Sequence, residues 1–329
     1  KFDLLESLYT LNEAGHDMDY TGFLKRLVFD SLTQHQQWQM LSVLQKQKIG
    51  FESELQTLLK NKKATMLGGL HWGEDVYWWN RNEIATTVLA YKTLGRVADY
   101  ENVQKQISQY FLEKRKEGHW RNTVESATIL SALLPDVLKS NQNFIEKATL
   151  HISGDTSMTV NKFPFEASLK PGSGNITVTK QGGGMVYFTA YQKVFNSSPQ
   201  SVDTNFRVRS YFVNSQKVVV PNLKAGEKVI MKVEVEVLKV ADYVQLEIPV
   251  PAGSTYGTKL NGSRYEHREY FRDRVMIFLE KLKKGVYTYE IELEPRYNGN
   301  YTINPAKAEL MYFPVFYGRN DMSSIGIQK

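Results

Sequence analysis

The 329-residue chain contains no cysteine. Disulfides, thiolate metal sites and a cysteine nucleophile are therefore excluded within it. Long apolar runs are missing too: none approaches the ~18 residues needed to span a bilayer, and no signal-like segment opens the chain. Histidine is scarce, six in all, and His-x-x-x-His and related metal spacings are absent. Neither a metal nor any other cofactor is expected. No phosphate-binding glycine loop is present either. Gly182-Gly183-Gly184 precedes a strand-like run and not a helix, so it reads as a bulge or tight turn.

Charge of one sign is nowhere concentrated. Residues 1–140 carry 17 basic and 17 acidic side chains, so the later part holds the whole excess of the +6 net charge, 24 against 18. That excess is scattered along strand-like segments, where lysine blocks edge-to-edge pairing. A nucleic-acid surface would need a cluster or a recognition motif, and none is visible. With 42% hydrophobic and 23% charged residues, the chain is globular in character. Its length accommodates two or three domains.

What is there begins with a repeat. Gly69-Leu70-His71-Trp72 is followed by Glu83-Ile84-Ala85-Thr86 and Ala90, and Gly118-His119-Trp120 by Glu125-Ser126-Ala127-Thr128 and Ala132. Self-similarity at a spacing of about 42 residues indicates helical hairpins, each opened by a tight Gly-aromatic turn. Small Ala and Thr residues on the repeated face let neighbouring helices approach closely. Upstream, apolar stripes at Phe2–Asn12, Phe23–Leu32, Trp38–Leu44 and Leu55–Leu59 add four helices. Helices at Ile84–Gly95, Asn102–Glu113 and Thr123–Leu138 follow. Lys1-Phe2-Asp3-Leu4-Leu5 reads as the middle of a helix, which suits an incomplete α/α ring and a piece of a longer protein.

From Lys147 the period changes to alternation. Strands are expected at Thr149–Ser153, Met158–Val160, Asn175–Lys180 and Met185–Phe195. Beyond a linker near Asn196-Ser197-Ser198-Pro199 come Phe206–Asn214, Val229–Val237, Tyr243–Ile248, Tyr287–Leu293 and Glu309–Phe313. Glycine and proline separate these runs in the manner of a β-sandwich. The fold class is thus multidomain α plus β: a partial α/α toroid over 1–140, a β segment over 141–199 and an antiparallel β-sandwich over 200–329. Between Arg264 and Leu282 physics alone leaves helix and strand both open. Tyr270, Phe271, Val275, Phe278, Leu279 and Leu282 have helical spacing, yet Val275, Ile277 and Leu279 alternate within a run rich in β-branched and aromatic residues.

Candidate chemistry is thin. His71 and Trp72 sit near Glu74 and Asp75, and His119 precedes Trp120 in the same way. The recurrence favours a structural histidine hydrogen-bonded within the turn over a general base. Tyr77-Trp78-Trp79-Asn80-Arg81 is the most suggestive run, since adjacent aromatics with Asn and Arg can stack on sugars and neutralise a uronate. A polysaccharide lyase using His71, Tyr77, Asn80 and Arg81 is therefore the alternative function, and a cell-surface interaction module a second. Trp pairs at a helix entry, however, serve as packing anchors. Glu83 and Glu125, placed alike in the repeat, could pair as carboxylates, or simply favour the helix N-termini they open.

The ordered set of segments resembles the C-terminal end of the alpha-2-macroglobulin family, most nearly a bacterial member. His71-Trp72 with Asn82–Ala90 resembles the late part of the family's thioester domain, and Gly118–Ala127 its final hairpin. Asn175–Val178 with Gly182-Gly183-Gly184 and Tyr187 resembles the returning half of the CUB-like domain. Arg264-Tyr265-Glu266, Asp273–Leu282 and Asn304–Tyr312 resemble the terminal receptor-binding, macroglobulin-type domain. The resemblance makes Arg264–Leu282 a strand pair near Tyr265–Phe271 and Arg274–Leu279, with Val275, Ile277 and Leu279 inward.

The resemblance implies a non-catalytic part of a protease trap, in which bait cleavage triggers collapse around the protease. The implied partners are proteases and the remaining macroglobulin-type domains, with no nucleic acid. The implied location is the periplasm or cell surface, with a lipid anchor upstream of Lys1 compatible with it. Two departures stand out. A Cys-Gln thioester, if the protein has one, lies before Lys1. Pro251–Gly262 is too short for the helix that carries receptor-binding lysines in animal members, so scavenger-receptor binding does not carry over.

Overall fold

A computed structural model of the chain describes residues 4–76, 82–115, 120–139, 147–154, 157–168, 175–183, 186, 188–192, 194–263 and 265–329. It combines helices with antiparallel sheets and divides into two compact units. The first comprises residues 1–50, 73–104 and 114–188; the second comprises 51–72, 105–113 and 189–329.

The helical elements in chain order are α1 (Leu4–Glu13), α2 (Tyr20–Leu24), α3 (Gln34–Lys46), α4 (Glu52–Lys60), α5 (Glu83–Leu94), α6 (Glu101–Glu113) and α7 (Thr123–Lys139). Between α4 and α5 lies a hairpin of β1 (Lys63–Ala64) and β2 (Leu70–His71). In the first unit α1 packs on α3, α3 on α5 and α5 on α7. The middle members are the most buried. Trp38, Leu41 and Val43 of α3 and Ala90 and Leu94 of α5 have essentially no exposure, and Thr86 and Thr87 of α5 are buried with them. Short side chains at those contacts bring helix axes close. Thr33 starts α3 with a reciprocal capping box to Gln36, satisfying two donors that the first turn leaves open.

One expected helix fails. The Phe23–Leu32 stripe yields only the five-residue α2 and a single 3-10 turn at Phe29–Ser31. Gly22 weakens the helix, and Val28 at the entry to the 3-10 turn is extended and exposed.

The first unit also holds a sheet of β3 (Thr149–Ser153), β4 (Met158–Val160) and β5 (Thr177–Gln181), in the order β4-β3-β5. Its core is small: Leu150, Ile152 and Val160, flanked by Met158, Val178 and Val186. No strand forms among the described residues of the expected Met185–Phe195 run. Its described apolar residues Phe188, Tyr191 and Val194 are exposed, so the alternation there meets no apposed face.

The second unit contains the sandwich. Its strands are β6 (Phe206–Val213), β7 (Asn222–Lys224), β8 (Val229–Val237), β9 (Ala241–Pro249), β10 (Ser254–Tyr256), β11 (Glu266–Tyr270), β12 (Arg274–Leu282), β13 (Gly285–Pro295), β14 (Gly299–Ile303), β15 (Lys307–Leu310), β16 (Phe313–Arg319) and β17 (Ser323–Gln328). A four-stranded sheet β10-β13-β8-β6 and a five-stranded sheet β11-β12-β9-β15-β16 enclose one core, with a small sheet β14-β17-β7 at the side. Val229, Met231, Val233, Val235 and Val237 of β8 all point inward, the period-2 signature of a half-buried strand.

The ambiguous stretch is a hairpin. Tyr270 pairs with Val275 and Arg268 with Ile277, around a turn at Arg272-Asp273. Val275 and Ile277 are wholly buried, Leu279 and Met276 nearly so, while Arg274 reaches the surface. Burial of the Tyr256 phenol pushes its pKa up to about 12. It therefore stays protonated and donates to the backbone oxygens of Phe271 (2.6 Å) and Arg274 (2.9 Å). That clamp replaces the glycine which tight hairpin loops otherwise favour.

Candidate functional site

Two groups of residues singled out by the sequence converge on polar nodes. The first is the β1–β2 hairpin of the second unit. Its turn closes through Thr65 N–H to Gly69 O (2.9 Å) and Gly68 N–H to Thr65 O (3.2 Å). Gly69 N–H also donates to Thr65 Oγ1 (2.8 Å) and to Glu113 Oε1 of α6 (3.1 Å). A Cβ on Gly69 would stand 2.8 Å from the Tyr110 Cα, so the glycine is required by close approach to α6. Gly68 adopts φ +101°.

Behind that turn the two aromatic candidates are fully enclosed. Trp72 has 0% exposure, and its indole Nε1–H donates to Leu58 O (2.6 Å). That carbonyl lies in the last turn of α4, where intrahelical donors run out. His71, 3% exposed, stacks face to face on Tyr110 at 4.5 Å and 9°. It lies on β2 opposite Lys63, beyond the turn in which it was expected. Enclosure removes His71 and Trp72 from contact with any polysaccharide. Tyr77, Trp78, Asn80 and Arg81 lie outside the described residues, as do Gly118 and His119.

The second node, in the first unit, is where α5 and α7 begin. Asn82 caps α5 by accepting from Ala85 N–H (2.9 Å), and Asn122 accepts from Glu125 N–H (2.8 Å). The caps correct the repeat alignment: Glu125 is matched by Ala85, and Glu83 by Thr123. The two carboxylates are consequently not equivalent in the repeat. Glu83 meets Lys114 at 3.4 Å. Buried Glu125 accepts from Asn82 Nδ2 (2.9 Å) and from Arg121, whose guanidinium also lies 3.6 Å from Asp75. Each carboxylate has its own cation, so the node ties the helix starts together.

Among the described residues no group of His, Asp and Glu could hold a metal, and no helix is long and apolar enough to cross a membrane. The clearest chemical feature is instead the sandwich. Residues 206–314 match the family model of the bacterial alpha-2-macroglobulin MG10 domain. The sandwich is thus similar to a domain of the alpha-2-macroglobulin family. The match spans β6 through the first residues of β16 and takes in most of the large core.

No curated protein matches the chain in sequence. Solved structures similar to it include Escherichia coli alpha-2-macroglobulin activated by trypsin, at 10% identity and TM-score 0.44 over 99% of this chain and 23% of that one. The same protein activated by porcine elastase gives 12%, 0.40, 99% and 30%. Its native form from domain MG7 to the C-terminus gives 11%, 0.36, 99% and 54%. The chain thus spans between a quarter and about half of those chains' length.

Proposed function

We propose that this chain is the C-terminal, non-catalytic portion of a macroglobulin-type inhibitor that traps proteases at the bacterial envelope. The observation that carries the reading is the MG10 sandwich over residues 206–314. Enclosure of His71 and Trp72 supports a scaffold role for the Gly-aromatic hairpins. In this reading residues 1–140 are the later half of a thioester-type toroid, 141–199 the CUB-like segment and 200–329 the macroglobulin-type domain. With no cysteine in the chain, whatever this portion contributes to capture is noncovalent.

Trapping is tested with the full-length parent and a broad-specificity protease. The expected result is continued hydrolysis of a small peptide substrate with loss of activity on a folded protein substrate, because enclosure excludes only large molecules. Equal retention, or equal loss, of both activities defeats the reading. For the present chain, intact mass after methylamine treatment is expected to be unchanged. An amine adduct would overturn the noncovalent assignment.

A further inference from the structure

We propose that one end of the sandwich docks onto the anionic headgroup layer of a lipid bilayer. Strand register gathers this end from distant parts of the sequence. Ala241 pairs with Leu282 and Val237 with Gly285, so the turns at 238–240 and 283–284 lie side by side. Thr65 forms a parallel bridge to Val240, with Val240 N–H donating to Ala64 O (3.2 Å). The segment carrying Lys62 and Lys63 therefore joins the same end. Lys62, Lys239, Lys283 and Lys284 are exposed there. Acidic residues nearby are Asp242, which is opposite Lys281 in the ladder, Glu280, Asp203 just before the Asn205–Leu238 contact, and Glu236, which is opposite Val286 and neutralised by Arg207 at 2.9 Å. Counting Lys63 and Lys281, six lysines outnumber the other three.

An aromatic tip lies at the same end. Val244 pairs with Leu310, and Met311 N–H donates to Tyr243 O (2.8 Å), which brings the 311–312 turn to the start of β9. Tyr312 is 66% exposed and meets Tyr243 edge-on at 5.4 Å. Tyr243 holds φ +56° inside a strand, a conformation strained for an aromatic residue. Met311 and Val286 add exposed apolar surface. Ammonium groups together with a phenol and short apolar side chains suit a headgroup layer: the charges meet phosphates, and the apolar bodies enter the boundary beneath. A soluble acidic peptide would satisfy the lysines but leave Tyr312, Met311 and Val286 in water.

The test is vesicle flotation of the whole chain with phosphatidylcholine alone, or mixed with phosphatidylglycerol, over a salt series. Binding is expected only with phosphatidylglycerol and should weaken as salt rises. Replacing three lysines together (Lys239→Gln, Lys283→Gln, Lys284→Gln) should weaken it about a hundredfold, at roughly fivefold per lysine. Tyr312→Ser should weaken it several-fold with little change in salt dependence. Lys224→Glu is the control, since its neighbours Ala225 and Gly226 bond to Gln328 and Pro295 at the opposite end. Thermal melts of each variant separate lost binding from lost fold. Equal binding to both vesicle types, undiminished binding by a folded triple variant, or capture by soluble polyglutamate without any by vesicles would each overturn the proposal.

Discussion

Along β8 every second residue from Val229 to Val237 is buried, whereas along β5 none is. Both strands sit in antiparallel sheets and both carry β-branched residues. The difference lies in what faces them. The four- and five-stranded sheets close on one another over a single large core, whereas the β4-β3-β5 sheet covers three buried residues among those described. Phe163, Phe165, Ile176 and Phe188 remain exposed in the same unit as the small sheet. Strand propensity makes a strand possible; an apposed face makes it stable.

The sharpest way to break this contrast is a charge in the large core. Ile277→Asp should destabilise the sandwich by roughly 4–5 kcal/mol, since it buries a carboxylate without a partner. Arg274→Asp, on the surface, should cost under about 1 kcal/mol. Urea melts followed by tyrosine fluorescence would check both, and equal losses would undo the inward–outward assignment of β12. A graded version compares cavities. Ile291→Ala should cost about 4 kcal/mol and Ile152→Ala about 2, because the smaller core relaxes more easily around the gap. Reversed order in hydrogen-exchange protection would show the small sheet to be the better packed.

Gly69→Ala sets the turn against both cores. Its methyl meets the backbone of α6, and a loss of about 2 kcal/mol is expected, read as a lower melting temperature. A neutral substitution would mean that the turn yields without resistance. The smallest effect is electrostatic. Glu292 accepts from Lys228 (2.7 Å) and from Thr258 N–H (3.1 Å) and hydroxyl (3.3 Å). The Lys228 hydrogen bond foremost holds its carboxyl below the usual range. A depressed folded pKa gives stability that is fully present above the unfolded value of about 4.3 and lost as pH falls through the folded value. The urea midpoint of the native chain should therefore drop slightly more than that of Glu292→Gln between about pH 5 and pH 3. Parallel decline in both would remove Glu292 from the account.

Much of this was legible beforehand, for reasons that differ by element. Val229–Val237 was bounded to the residue because strict alternation meets a core on one face only. α5 and α7 came within a residue of their expected bounds, since asparagine caps mark where helices start. The β11–β12 hairpin was not settled by periodicity, because Val275 and Leu279 satisfy both templates. Hairpin β1–β2 was invisible, two residues per strand being too few to show a period. His71 and Trp72 were singled out by the repeat, but their enclosure depends on Tyr110 and Leu58, which no local pattern connects to them.

Met66 lies in the core of the sandwich, 5% exposed, and donates its N–H to Val240 O (3.1 Å). The partners are separated by roughly 170 residues, and closing so long a loop is slow. A chain emerging from the ribosome makes residue 66 before β8 and β9 and must keep it waiting until they have been synthesised. Sandwich assembly therefore draws on a piece made well before its own strands. A C-terminal excision starting at residue 200 would carry every strand of the sandwich and still leave a methionine-sized vacancy in it.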